Sequence, residues 1–129
     1  MAQRILSVVG TAYRGTVEEQ DDTILWLTHM LKTAGLDMTV LLRSSAVNYA
    51  VRGQAVTGPR FGDTAVVEHP PALDGDLAGL MDHGVPVLYV EEDARWLGLP
   101  ADRLIDGVEG VSLQDFAGLC GGFDQVWHW

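Results

Sequence analysis

Met38–Gln54, MTVLLRSSAVNYAVRGQ, is the stretch that decides the fold. Met38–Leu42 reads as a buried strand, Arg43–Ser45 as a polar turn, and Ala46–Arg52 as a short helix that stops at Gly53. A strand that passes straight into a helix through a polar turn belongs to an α/β domain. In an open α/β sheet, ligands and reacting groups gather beyond the carboxyl ends of the strands. A second segment repeats the arrangement: Val85–Val90 (VPVLYV) is an apolar strand that empties into Glu91, Glu92 and Asp93.

Working outward, strand-like and helix-like patterns alternate. Ile5–Val9 is strand-like. Val17–Ala34 is helical, with Val17, Ile24, Leu27 and Leu31 recurring at helical spacings. Thr16 is its expected cap, Glu18 and Glu19 complement the positive end of its dipole, and Gly35 stops it. Gln54–Pro71 reads as a long irregular connection, a class of loop that is often functional. Ala72–His83 is a helix ending at Gly84, and Ala94–Leu99 a short helix stopped by Pro100. Leu104–Val111 is extended, Leu113–Leu119 is a helix capped by Ser112, and Gln125–Trp129 is a terminal strand. The pattern predicts a single domain over 1–129: three α/β/α layers around a mostly parallel five-stranded sheet of flavodoxin-like proportions.

Composition limits the function. Apolar residues make up 47% of the 129, enough for one core. The net charge of −10, with one lysine and seven arginines, argues against nucleic acid and anionic membrane surfaces as partners. No apolar run reaches the roughly 18–20 residues of a membrane span. MAQRILSVVG lacks the long apolar region of a secretory signal, and a cytoplasmic location is expected. The single cysteine, Cys120, excludes an internal disulfide and a multi-thiolate zinc site. His29, His69, His83 and His128 are scattered without metal-ligand spacing, so no metal and no cofactor is expected.

The order of the segments carries a resemblance. Ala46–Gln54 matches a G-V-x-x-A-x-x-G-Q type segment, with alanine at the first position. Val85–Leu99 is a strand followed by Trp96–Leu97–Gly98, and Ile105–Leu113 is of the I-D-G-V-x-x-V-S-L type. Over nearly the whole chain this resembles the DsrE/DsrF/DsrH (TusBCD-like) family of sulfur-oxidation and sulfur-relay proteins, and the tryptophan at the C-terminal strand is similar to the DsrH branch. The resemblance implies a DsrE-like fold, assembly into homo- or hetero-oligomers (trimers or hexamers), and work alongside a sulfur-carrier protein. It also implies a persulfide-bearing cysteine just after the strand that matches Val85–Val90. This chain departs from that pattern, since Glu91, or Val90 with a one-residue shift, stands at the position. Neither side chain holds sulfane sulfur, and three neighbouring carboxylates disfavour a thiolate.

Four loops supply the remaining candidates. Tyr13 and Arg14, in the loop after the first strand, are expected ligand contacts, with backbone N–H groups and a guanidinium available to an anion. Asn48 and Tyr49 face them from the second strand end, and Glu91 from the third. Glu91, Glu92 and Asp93 read either as first-turn helix charges or as a hard-cation or acid/base cluster. Cys120 reads either as a small packed residue or as a relocated sulfur acceptor, although a helix C-terminus is the wrong electrostatic end for a thiolate. Trp96, Trp127, Trp129, Phe116 and Phe123 are core or interface anchors. Three functions follow: a non-catalytic, partner-binding subunit of sulfur metabolism; a sulfurtransferase that carries a persulfide on Cys120; and a small-ligand-binding domain using Tyr13, Arg14, Asn48 and Glu91.

Overall fold

The computed structural model of the chain describes residues 3–12, 22–54, 60–63, 65–66 and 72–129. In chain order the elements are β1 (Arg4–Val9), α1 (Thr23–Thr33), β2 (Asp37–Leu42), a 3₁₀ helix (Ser44–Ala50), and the short strands β3 (Arg60–Phe61) and β4 (Ala65–Val66). There follow α2 (Leu73–Asp82), β5 (Val87–Val90), α3 (Glu91–Trp96), a 3₁₀ turn (Ala101–Arg103), β6 (Glu109–Val111), α4 (Leu113–Cys120) and β7 (Gln125–His128).

Five strands form one sheet in the order β6-β5-β2-β1-β7, with every neighbouring pair parallel. β3 and β4 pair with each other, antiparallel. The central strands are apolar at nearly every position because both faces of the sheet are covered. On one face Ile5, Val9, Met38, Val40 and Val87 pack with Ile24 and Leu25 of α1, the 3₁₀ helix, and Leu77 and Leu80 of α2. On the other, Leu6, Val8, Leu41, Leu88 and Val90 pack with Phe116, Leu119 and Cys120 of α4. The predicted three-layer α/β/α architecture is the observed one.

The chain steps across the sheet in one direction from β1 to β6, then returns to the other side of β1 as β7. This reversal lies between β1 and β7. There the Gly10 N–H donates to the Trp129 carbonyl at 3.0 Å, and a Cβ on Gly10 would lie 3.3 Å from the His128 imidazole.

Several boundaries differ from the sequence reading. α1 begins at Thr23, not Val17: Asp22 is extended and its carboxylate accepts from the N–H groups of Ile24 and Leu25. Thr16, Glu18 and Glu19 lie outside the described residues. The segment read as a helix over Ala46–Arg52 is a 3₁₀ helix that ends at Ala50. Val51 then bridges Leu104, Ile105 N–H donates to Ala50, and the Gln54 side-chain amide reaches the carbonyls of Asn48, Tyr49 and Val51. Those partners satisfy the backbone without further helical turns. α3 starts at Glu91 with no intervening loop. Ser112 caps α4 as expected, its hydroxyl accepting from Asp115 N–H.

Candidate functional site

The carboxyl ends of β1, β2, β5 and β6 are joined by side chains from the turns that follow them. β2 ends at Leu42, and Arg43 N–H donates to the Val9 carbonyl, which holds the turn against β1. Ser44 then adopts φ +50°, in the left-handed region that a residue with a Cβ rarely enters. Its N–H donates to the Asp93 carboxylate at 2.7 Å. The Arg43 Nε lies 3.8 Å from that carboxylate, and its guanidinium carbon is 5.0 Å from the centre of the Phe116 ring. Ser45 accepts from Ala12 N–H at 3.3 Å. Glu92 accepts from Leu113 N–H at the start of α4. One turn of sequence, Arg43–Ser45, therefore meets β1, α3 and α4.

This arrangement gives each side chain of the acidic cluster a neighbour of its own. Asp93 and Glu92 each accept from a backbone N–H of another element, so they brace the rim. Glu91 lies over β6: a Cβ on Gly110 would fall 2.6 Å from the Glu91 carboxylate. The three carboxylates thus point to different partners. Among the described residues no group of three or more His, Cys, Asp or Glu is placed to hold a metal ion. Beside the brace a hollow of about 450 Å³ is lined by Ser44, Ser45, Asp93, Trp96 and Leu97. Trp96 is 90% exposed, an extreme value for a residue whose ring is mostly apolar.

The expected ligand contacts within the described residues are Asn48, Tyr49 and Glu91. Tyr13 and Arg14 lie outside the described residues. The Asn48 side-chain amide donates back to the Ser45 carbonyl at 3.0 Å and closes the 3₁₀ helix. Tyr49 is wholly buried and its hydroxyl donates to Asp22 at 2.7 Å, which makes it a tie between the 3₁₀ helix and the cap of α1. A ligand contact by Tyr49 is incompatible with that burial. Glu91 is half-buried against Gly110.

Cys120 lies at the end of α4 that points away from this rim. α4 starts where β6 ends, beside Val90, and runs back for about 12 Å at 1.5 Å per residue. The chain after it reaches the amino end of β1, where Asp124 N–H donates to the Arg4 carbonyl and Gln125 pairs with Ile5. The Cys120 side chain is half-buried and packs into the cluster of Leu6, Val8, Leu41, Leu88 and Val90. Arg4, a cation near that edge, is engaged with the Gly122 carbonyl, with Asp37 and with the Phe123 ring. The direction of α4 carries Cys120 away from the Glu91 rim, toward the amino ends of the strands.

Trp127 and Trp129 pack as anchors: their rings are edge to face at 6.3 Å, and the Trp129 indole N–H donates to Ser7. Sequence reasoning did not single out Ser44 and Asp93 as a pair. Serine carries no left-handed signature of the kind glycine and asparagine do, and the two lie 49 residues apart.

Comparison with known proteins agrees with the fold. No family model matches the chain, and no curated protein matches it in sequence. Solved structures do match. The crystal structure of YchN from E. coli superposes with a TM-score of 0.75 at 27% identity, covering 98% of this chain and 99% of that one. MTH1491 from Methanobacterium thermoautotrophicum, a protein of unknown function, superposes with a TM-score of 0.65 at 16% identity over 97% of this chain and 98% of that one, a likeness of fold alone. Both support the DsrE-like fold expected from the order of the segments. No helix among the described residues is long and apolar enough to cross a membrane.

Proposed function

We propose that this chain is a DsrE-like subunit of intracellular sulfur metabolism that binds and positions an active partner and does not carry sulfur itself. The observation that carries the reading is the state of the β5 carboxyl end. Val90 is fully buried, Glu91 lies against Gly110, and Glu92 and Asp93 are bonded to the amides of Leu113 and Ser44. A sulfur carrier needs an accessible thiolate at such a place, kept reactive by cations or helix ends. Here the place is filled by carboxylates in structural use, and the lone thiol is half-buried against the cluster of Leu6, Val8, Leu41, Leu88 and Val90. The likeness to YchN and the order of the sequence segments supply the family context. Trp96, highly exposed at the rim beside Ser44 and Ser45, is the anchor we assign to the partner contact.

The test exposes the purified chain to polysulfide, removes excess donor, alkylates, and weighs the intact protein. The expected mass carries no added sulfur, for wild type and for Cys120→Ser alike. A persulfide on wild type that Cys120→Ser abolishes refutes the reading and restores the sulfurtransferase alternative.

A further inference from the structure

The fold brings together two histidines that the sequence keeps far apart. His29 lies in the middle of α1, and His83 follows the last residue of α2 as its cap. Their ring centres are 4.4 Å apart and their planes meet at 82°. The backbones beneath them are fixed. Leu25, one turn before His29, and Leu80, in the last turn of α2, pack in the same core. The His83 N–H donates to the Gly79 and Leu80 carbonyls at 3.2 and 3.1 Å. Sequence spacing offers no metal-ligand pair here, because the two positions come from different helices.

Imidazole nitrogen suits zinc, copper(II) and nickel(II). A metal held at about 2.0–2.1 Å by one nitrogen of each ring, at angles between square and tetrahedral, sets the ring centres roughly 4.5–5.2 Å apart. The observed 4.4 Å matches the short end of that range, and planes near a right angle suit two neighbouring ligands of one ion. Neither helix has to move. Rotation of the imidazoles about their side-chain bonds turns one nitrogen of each toward a shared point.

The surroundings leave room for an ion and its remaining ligands. The rings open into a cleft of about 270 Å³ between the two helices, walled by Trp26 on α1 and by Gly75 and Gly79 on α2. A Cβ on Gly79 would meet nothing within 4 Å, so nothing among the described residues fills the space beside it. His29 is half-buried and His83 exposed, so an ion reaches them from solvent. Two protein ligands leave the other coordination positions open to water or to a donor atom from another molecule. The net charge of −10 draws cations toward the chain. Lys32 works against binding, since its ammonium stands at the Gly84 turn next to His83. It lowers the affinity without removing the nitrogen donors.

We propose that His29 and His83 form an open, two-imidazole site for a divalent transition metal of the zinc and copper(II) class, bridging α1 and α2. The site is separate from the strand-end rim and rests on no assumption about sulfur chemistry. The test titrates the full chain with zinc by calorimetry and follows thermal unfolding with and without zinc. Wild type binds one zinc per chain. Its melting temperature rises with zinc, because an ion shared by two helices binds the folded state in preference to the unfolded chain. His29→Ala and His83→Ala each weaken binding at least about tenfold and lose that rise. Cys120→Ser and His128→Ala keep both. Melting in zinc-free buffer guards against misfolding, since each histidine variant should unfold there cooperatively, as wild type does. The absence of saturable binding up to about 1 mM zinc overturns the proposal. Binding unchanged by either substitution in the pair, or binding lost with Cys120→Ser, overturns it as well.

Discussion

Removing one oxygen from Tyr49 tests whether this residue is a structural tie. The Tyr49 hydroxyl donates to Asp22 Oδ2 at 2.7 Å, with Tyr49 at 0% and Asp22 at 1% exposure. The other Asp22 oxygen accepts from Ile24 N–H at 2.9 Å and Leu25 N–H at 3.2 Å and caps α1. A hydrogen bond to a charged group is worth about 1.5–3 kcal/mol. No solvent replaces it at a site so buried, and Tyr49→Phe keeps the ring and its packing. Tyr49→Phe is therefore expected to lower the unfolding free energy by about 1.5–3 kcal/mol. Asp22→Ala adds the loss of the cap, about 1 kcal/mol, and leaves the tyrosine hydroxyl without its acceptor. The double variant should fall short of the sum of the single ones by about 1–2 kcal/mol, since both remove the same bond. Urea unfolding of the four proteins at one fixed concentration, followed by circular dichroism, measures each term. A loss below about 0.5 kcal/mol for Tyr49→Phe, or strict additivity in the cycle, refutes the reasoning and reopens a ligand role for Tyr49.

Other outcomes follow from the rim. Gly110→Ala places a methyl group 2.6 Å from the Glu91 carboxylate and 2.7 Å from its Cγ. It should destabilise by about 1–3 kcal/mol, and Glu91→Ala in the same chain should restore most of the loss in thermal melts. Ser44 stands at φ +50°; Ser44→Val should cost about 1–2 kcal/mol, while Ser44→Gly should match or exceed wild type in the same melts.

The layers were legible in the sequence because burial on both faces leaves strands nearly free of polar residues, and MTVLL, VPVLYV and ILSVV all show it. Helix ends written in side-chain chemistry were legible too. Ser112 caps α4, and Gly35 and Gly84 follow α1 and α2 with positive φ. The Val17 start of α1 was misread because apolar spacing continues upstream of Thr23, whereas the helix starts where a buried Asp22 can cap it. Exposure of Trp96 was equally hidden, since helical spacing does not say whether a neighbouring element will cover a face.

The chain's own residues indicated an α/β/α fold, and they put carboxylates at the positions after β5. Both are local matters of hydrophobic pattern and residue type. Which carboxylate meets which amide, where Tyr49 directs its hydroxyl, and that α4 carries Cys120 away from the Glu91 rim were decided only in three dimensions. Parallel strands require each helix to return the chain to the sheet's amino edge, so residues close in sequence part company while Ser44 and Asp93, 49 apart, meet at 2.7 Å.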